Sequence, residues 1–139
     1  MRLLLDTNVL LDVLLARSPH ADAAVRILAA VEAGVVTGVI GATSVTTVFY
    51  LATKAVGVRR AKGHVRTILS LFEIAPVTEA VLARALELGF ADFEDAVIHE
   101  AARAARCTGI VTRDAQGFKR ADLPVYSPTE LLAVLQAQR

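Results

Sequence analysis

The apolar positions of this chain follow two alternating rhythms. Short runs rich in Leu, Val and Ile read as buried strands, and between them apolar residues recur three and four positions apart, as on a helix with one buried face. The first run, Leu3-Leu4-Leu5, stops at Asp6. Residues 9–16 continue as a helix with Asn8 as its N-cap, and Arg17-Ser18-Pro19-His20 breaks it. Ala24, Ile27, Leu28 and Val31 mark a second helix that Gly34 stops. Residues 35–40 read as a second strand and Gly41-Ala42-Thr43-Ser44 leads out of it. Residues 44–56 hold helical spacing at Val45, Val48, Phe49 and Ala52 despite several β-branched residues, and Gly57 ends them.

Residues 59–72 form an amphipathic helix, apolar at Val65, Ile68, Leu69 and Phe72 and basic at Arg59, Arg60, Lys62, His64 and Arg66. A third strand at 73–77 precedes Thr78, which caps a helix expected to bury Val81, Leu82, Ala85 and Leu86. Asp92 opens the next helix, apolar at Ala96, Val97, Ala101 and Ala104. A fourth strand at 109–112 runs into the turn Arg113-Asp114-Ala115-Gln116-Gly117, and a short fifth lies at 124–126. Ser127, Pro128 and Glu130 start the last helix as N-cap, first-turn proline and capping-box acid. Strands alternating with helices imply an α/β fold, a parallel sheet covered on both faces. Right-handed crossovers bring the carboxyl ends of the first and fourth strands to one edge. The pattern leaves the strand order open.

Composition narrows the function. At 139 residues the chain is expected to be one domain spanning 1–139, and 55% hydrophobic against 21% charged residues supports a full core. Fifteen basic and 14 acidic residues leave a formal charge of +1. That excludes a strong, purely electrostatic nucleic-acid binder but not an enzyme whose acids cluster among bases. Cys107 is the only cysteine, so the chain has neither an internal disulfide nor a cysteine-based zinc site. The run before Asp6 is too short for a signal-peptide core, and no stretch nears the roughly 20 apolar residues of a membrane span. A cytoplasmic protein with no membrane partner is expected.

The chemistry rests on acids, each of which also has a plain explanation. Asp6 fits a turn or a helix cap. Asp92 and Asp95 fit an N-cap and its third helical position, Glu94 a solvated face, and Asp114 a turn cap. Together they say more, because Asp6, Asp95 and Asp114 all fall at the edge where ligands bind in open α/β sheets. Carboxylates crowded there repel one another unless a hard divalent cation joins them. Mg²⁺ or Mn²⁺ suits oxygen ligands, and such an ion activates water and stabilises a phosphodiester transition state. No Gly-rich phosphate loop offers a competing chemistry.

At these residues the chain resembles the PIN-domain ribonucleases, the group that includes VapC-type toxins of toxin–antitoxin pairs. Leu5-Asp6-Thr7-Asn8 is similar to the family's opening motif, Asp92-Phe93-Glu94-Asp95-Ala96 to its third acidic site, and Thr112-Arg113-Asp114 with Phe118 to the motif ending its fourth strand. The resemblance runs over essentially the whole chain. It implies a three-layer sandwich around a five-stranded parallel sheet of order 3-2-1-4-5. It also implies a Mg²⁺ or Mn²⁺ site made by Asp6, Asp95 and Asp114, with Asn8, Thr112, Asp92 and Glu94 supporting. RNA is the implied substrate, a homodimer the implied assembly and an antitoxin protein the implied partner.

One departure stands out. The family places a glutamate early in the third helix, whereas Ser44-Val45-Thr46-Thr47-Val48-Phe49 has no acid. Thr46 or Thr47 is expected in its place. The alternative is therefore a degenerate, non-catalytic PIN-like module that binds RNA or a protein. A phosphoacceptor domain would need an acid after the third strand and a lysine after the last, where Pro76-Val77-Thr78 and Ser127-Pro128 stand.

Remaining features divide between two uses. Arg113 fits a contact to a substrate phosphate or an ion pair with a carboxylate. The basic helix face fits phosphates or plain solvation, and it lacks interleaved aromatics for base stacking. Phe49 and Tyr50 read as core or dimer contacts, His99 as structural, Cys107 as buried and inert, and Asp12 as a surface residue of the first helix.

Overall fold

Leu3, Leu4 and Leu5 are all buried, yet alternate side chains leave a strand on opposite faces. Leu3 and Leu5 join one apolar cluster and Leu4 the other. The same split separates Ile40 from Val39 and Val111 from Ile110. A sheet with two apolar faces needs helices on both, and the computed structural model, which describes residues 1–138, has that form.

The elements run β1 (Arg2–Leu5), α1 (Thr7–Leu14), α2 (Ala21–Glu32), β2 (Thr37–Gly41), α3 (Ala42–Val56), α4 (Val58–Leu71) and β3 (Glu73–Ala75). They continue α5 (Glu79–Leu86), α6 (Phe93–Ala104), β4 (Gly109–Val111), a 3₁₀ turn (Ala115–Phe118), β5 (Val125–Tyr126) and α7 (Pro128–Ala137). All four strand pairings are parallel, in the expected order β3-β2-β1-β4-β5. On one face Val9 and Leu10 of α1, Ile27 of α2, Ile68 of α4 and Leu131 of α7 pack with Leu3 and Leu5. On the other, Val81 and Ala85 of α5 and Ala96, Val97 and Ala101 of α6 pack with Leu4 and Ile110.

Local signals fixed most boundaries. Ser127 and Glu130 exchange both bonds of a capping box, at 3.1 and 2.8 Å, and Thr78 accepts from the Val81 N–H at 3.2 Å. Gly34 and Gly57, read as helix stops, have φ of 76° and 88°, a region that residues with a Cβ avoid. The β-branched stretch of α3 is helical because Val48 and Ala52 are fully buried, so tertiary packing outweighs a weak propensity.

Several expectations fail. Asp6, not Asn8, is the N-cap of α1, its carboxylate accepting from the Thr7 N–H at 2.8 Å. The loop expected after β2 is absent, because α3 starts directly at Ala42. Asp12 is wholly buried rather than on the surface. Leu69, Leu82 and Leu86 are exposed, since the helical faces that bury Ile68, Val81 and Ala85 turn them outward. Of the two readings of Tyr50, core is excluded, because the ring is exposed with the Lys54 ammonium 4.4 Å from its centre. Cys107 is buried, and burial pushes its thiol up to about 11, consistent with an inert side chain.

This distribution sets contrasting costs. Leu4→Ala should lower the free energy of unfolding by about 2–5 kcal/mol, and Leu86→Ser should change it by less than about 0.5 kcal/mol. Urea denaturation of the two variants measures both, and equal losses would contradict the assignment of faces.

Candidate active site

Leu5 lies opposite Val111, so the residues that follow β1 and β4 emerge side by side. The Asp6 N–H extends the pairing to the Val111 carbonyl at 2.9 Å. Thr112 is fully buried at this junction. Its hydroxyl donates to Asp6 Oδ2 at 2.8 Å and accepts the Asp114 N–H at 3.0 Å. One hydroxyl thus ties the acid after β1 to the acid after β4. Asn8 Nδ2 approaches both Asp6 Oδ2, at 3.5 Å, and Thr112 Oγ1, at 3.4 Å.

Asp95 comes from the first turn of α6. Asp92 caps that helix, accepting the Asp95 N–H at 3.0 Å. Asp6, Glu94, Asp95 and Asp114 line one cleft of about 360 Å³, together with Asn8, Thr47 and Arg113. A Cβ on Gly117 would lie 2.6 Å from Asp95 Oδ2 and 2.8 Å from Asp114 Oδ2. Both carboxylates close in on a space that is open only because residue 117 has no side chain.

Crowding and burial hold two of these acids toward their protonated forms. Burial raises Asp6 above the ordinary carboxylate range, opposed by its hydrogen bonds from Thr112 and Thr7 and reinforced by Asp114 and Glu94. Asp95 is pushed up to about 7, first by burial and then by the charges of Asp6, Asp92, Asp114 and Glu94. Among the described residues, no three His, Cys, Asp or Glu side chains already form a closed cluster for an ion. The site is an open cleft of facing carboxylates. An all-oxygen donor set with room for water fits Mg²⁺ or Mn²⁺, which retain several waters.

Other expected residues fall outside the cleft lining. Thr112 sits beneath it, and Asp92 acts as the cap of α6. Thr46 is exposed on α3, its hydroxyl donating to the Thr43 carbonyl at 2.8 Å. One residue further round the helix, Thr47 lines the cleft, and so does Ser44 one turn earlier. The buried Ser44 hydroxyl has no hydrogen-bond partner among the described residues. Ser44 and Thr47 therefore line the cleft where a glutamate was sought, with the Thr47 hydroxyl donating to the Thr43 carbonyl at 3.2 Å. None of Arg59, Arg60, Lys62, His64 and Arg66 lines the cleft. Sequence reasoning missed Arg17, Ser44 and Gly117, and misjudged Asp12. The five-residue spacing of Asp12 and Arg17, across the end of α1, was the only signal available.

A family model described as the PIN domain matches residues 2–116. The chain belongs to the PIN domain family. The match contains Asp6, Asp95 and Asp114 and ends within the 3₁₀ turn, before Phe118. Solved structures agree with this PIN fold. A chain of a toxin–antitoxin complex from Klebsiella pneumoniae is 26% identical, with a TM-score of 0.66, covering 90% of this chain and 96% of that one. VapBC2 from Rickettsia felis, bound to a promoter DNA fragment, gives 20% identity and a TM-score of 0.69 over 91% and 98% of the two chains. VapC20 from Mycobacterium tuberculosis, a sarcin–ricin loop cleaving toxin, gives 14% and 0.64 over 78% and 86%. No curated protein matches the sequence.

The raised Asp95 makes stability depend on pH. Its carboxyl near 7 when folded, against 3.8 as the ordinary value, keeps a proton that the unfolded chain releases. Its contribution is thus present below about pH 4 and is lost as pH rises toward 7. With a chelator present, Asp95→Asn should gain melting temperature relative to the parent between about pH 5 and about pH 8. An unchanged gap between the two proteins would show that this carboxyl titrates normally.

Proposed function

We propose that this PIN domain is a metal-dependent endoribonuclease and the toxin of a toxin–antitoxin pair. The observation that carries the reading is the meeting of Asp6, Glu94, Asp95 and Asp114 in one open cleft, with Asp95 pushed up to about 7 by burial and then by its neighbours' charges. Like charges brought that close have a use when a cation joins them. Asp6, Asp95 and Asp114 would hold Mg²⁺ or Mn²⁺, and Glu94 stands beside them. When bound, such an ion lowers the pKa of a water and stabilises charge on a phosphodiester in the transition state.

The chain's own groups do the positioning. The Thr112 hydroxyl fixes Asp6 Oδ2 and steadies the backbone of Asp114. The Asn8 amide stands against the same carboxylate. The cap from Asp92 sets the first turn of α6 and so the place of Asp95. RNA as substrate draws support from the VapC20 likeness, and an antitoxin partner from the toxin–antitoxin complexes that share the fold. A homodimer working in the cytoplasm completes the reading. No helix among the described residues is long and apolar enough to cross a membrane.

A second reading has its own observation. Ser44 and Thr47 offer hydroxyls on the α3 side of the cleft, where the family carries a carboxylate. A PIN domain short of one acid would bind RNA or a protein without cutting.

Two measurements separate the readings. Asp6→Asn and Asp95→Asn should each lower Mg²⁺- or Mn²⁺-dependent RNA cleavage by about a hundredfold or more with no loss of melting temperature. Unchanged cleavage in both would reject the site. Calorimetry should detect Mn²⁺ binding to the parent protein, and none at millimolar metal would favour the non-catalytic module. Thr47→Glu adds a carboxylate to the cleft and should tighten Mn²⁺ by about tenfold, because ligand charge tunes affinity. A weaker affinity would mean that residue 47 does not face the ion.

A further inference from the structure

The acids share their cleft with two arginines, Arg17 and Arg113. A guanidinium beside several carboxylates would ordinarily pair with them. Among the described residues, no salt bridge joins either arginine to Asp6, Glu94, Asp95 or Asp114. Both are held by Asp12 instead. Its Oδ1 accepts from Arg17 Nε at 2.9 Å and from Arg113 Nη2 at 3.2 Å, and its Oδ2 accepts from Arg113 Nε at 2.6 Å. Arg17 Nη2 also donates to the Asn8 carbonyl at 3.2 Å.

The side chain of Asp12 is 0% exposed, whereas those of Arg17 and Arg113 keep 39% and 30%. A fully buried carboxylate requires pairing, for which one guanidinium suffices. Here there are two, so the trio of Asp12, Arg17 and Arg113 carries one net positive charge. Each guanidinium carries five N–H donors. Two on each are used on Asp12 and Asn8, and the others meet no acceptor among the described residues. Arg113 also borders a second groove with Ser127 and Thr129, so it stands where two depressions meet.

We propose that Arg17 and Arg113 clamp a backbone phosphate of single-stranded RNA next to the one at the acids, with Asp12 as their positioning residue. The proposal rests on the reading of this cleft as a ribonuclease site. Asp12 draws both guanidiniums away from Asp6, Asp95 and Asp114. The acids stay unneutralised, and the remaining N–H groups stay free for phosphate oxygens, which the planar guanidinium fork matches.

The test is fluorescence anisotropy with a short labelled single-stranded RNA, in chelator so that nothing is cut, over a series of salt concentrations. Arg17→Gln and Arg113→Gln should each weaken binding by about tenfold and flatten the slope of log affinity against log salt by about 0.7. Arg17→Lys leaves Asp12 paired, which guards against a folding failure. Its single ammonium is occupied by Asp12, so it should show the same losses at an unchanged melting temperature. Asp12→Asn should flatten the slope as well, which a loss of packing alone would not do. The clamp is overturned if the wild type binds no RNA, or if folded Gln and Lys variants keep affinity within about twofold and an unaltered slope. Cleavage by the wild type separates the two ideas. Arginine-dependent binding without any Mg²⁺- or Mn²⁺-dependent cutting would sink the ribonuclease reading alone, and cutting with both arginines silent would sink the clamp alone.

Discussion

The parallel pairing of β1 with β4 is the constraint on which the functional edge depends. With Leu5 opposite Val111, the next residues of both strands have no free choice of neighbours. Asp6 continues the ladder through its N–H, and Thr112 meets its carboxylate across a sequence separation of 106 residues. A slip of one residue would turn Leu3 and Leu5 away from one apolar layer and Leu4 away from the other. The two-sided core therefore locks the register, and the register places the acids. Stability and the site share one cause.

That placement is electrostatically unfavourable for the bare protein. Asp6 is nearly buried and Asp95 faces four other carboxylates. Hydrogen bonds from Thr112 and the Thr7 N–H offset part of the cost at Asp6. The α6 helix that carries Asp95 is anchored separately. One turn further on, His99 is buried, with Nε2 accepting the Asp122 N–H at 3.0 Å and Nδ1 2.9 Å from Glu100. Accepting at Nε2 leaves the proton on Nδ1, so the neutral ring donates to Glu100. This supports the structural role read for His99. These bonds and the Asp92 cap hold the start of α6, and with it Asp95, in place without an ion.

The cleft also separates its charges, with carboxylates on one side and arginines tied to Asp12 on the other. Asp12 holds both guanidiniums away from the acids, to which neither forms a salt bridge among the described residues. The PIN family match spans the segments that carry the acids. It leaves open the α3 side of the cleft, where Ser44 and Thr47 stand. Hydroxyls there are weaker ligands for a hard cation than a carboxylate.

Whatever depends on neighbours a few residues apart was legible in the sequence. The period-two and helical apolar patterns gave the α/β class, Ser127-Pro128-Thr129-Glu130 gave its capping box, and Asp92 gave the cap before Asp95. The motifs around Asp6, Asp95 and Asp114 gave the family through their resemblance, and with it the strand order. What only the tertiary structure decided involves faces and partners far apart in the chain. Thr46 and Thr47 are equivalent in sequence, but a turn of about 100° per residue lets only Thr47 face the cleft. Leu82 and Leu86 sit on an apolar stripe, but α6 covers only the side bearing Val81 and Ala85. Asp12 looked like an ordinary surface acid on a short helix. The fold buries it and brings Arg113, 101 residues away, beside Arg17 to share its charge. A buried charge is stable only with a partner, and of the two partners here Arg113 is brought in by strand pairing.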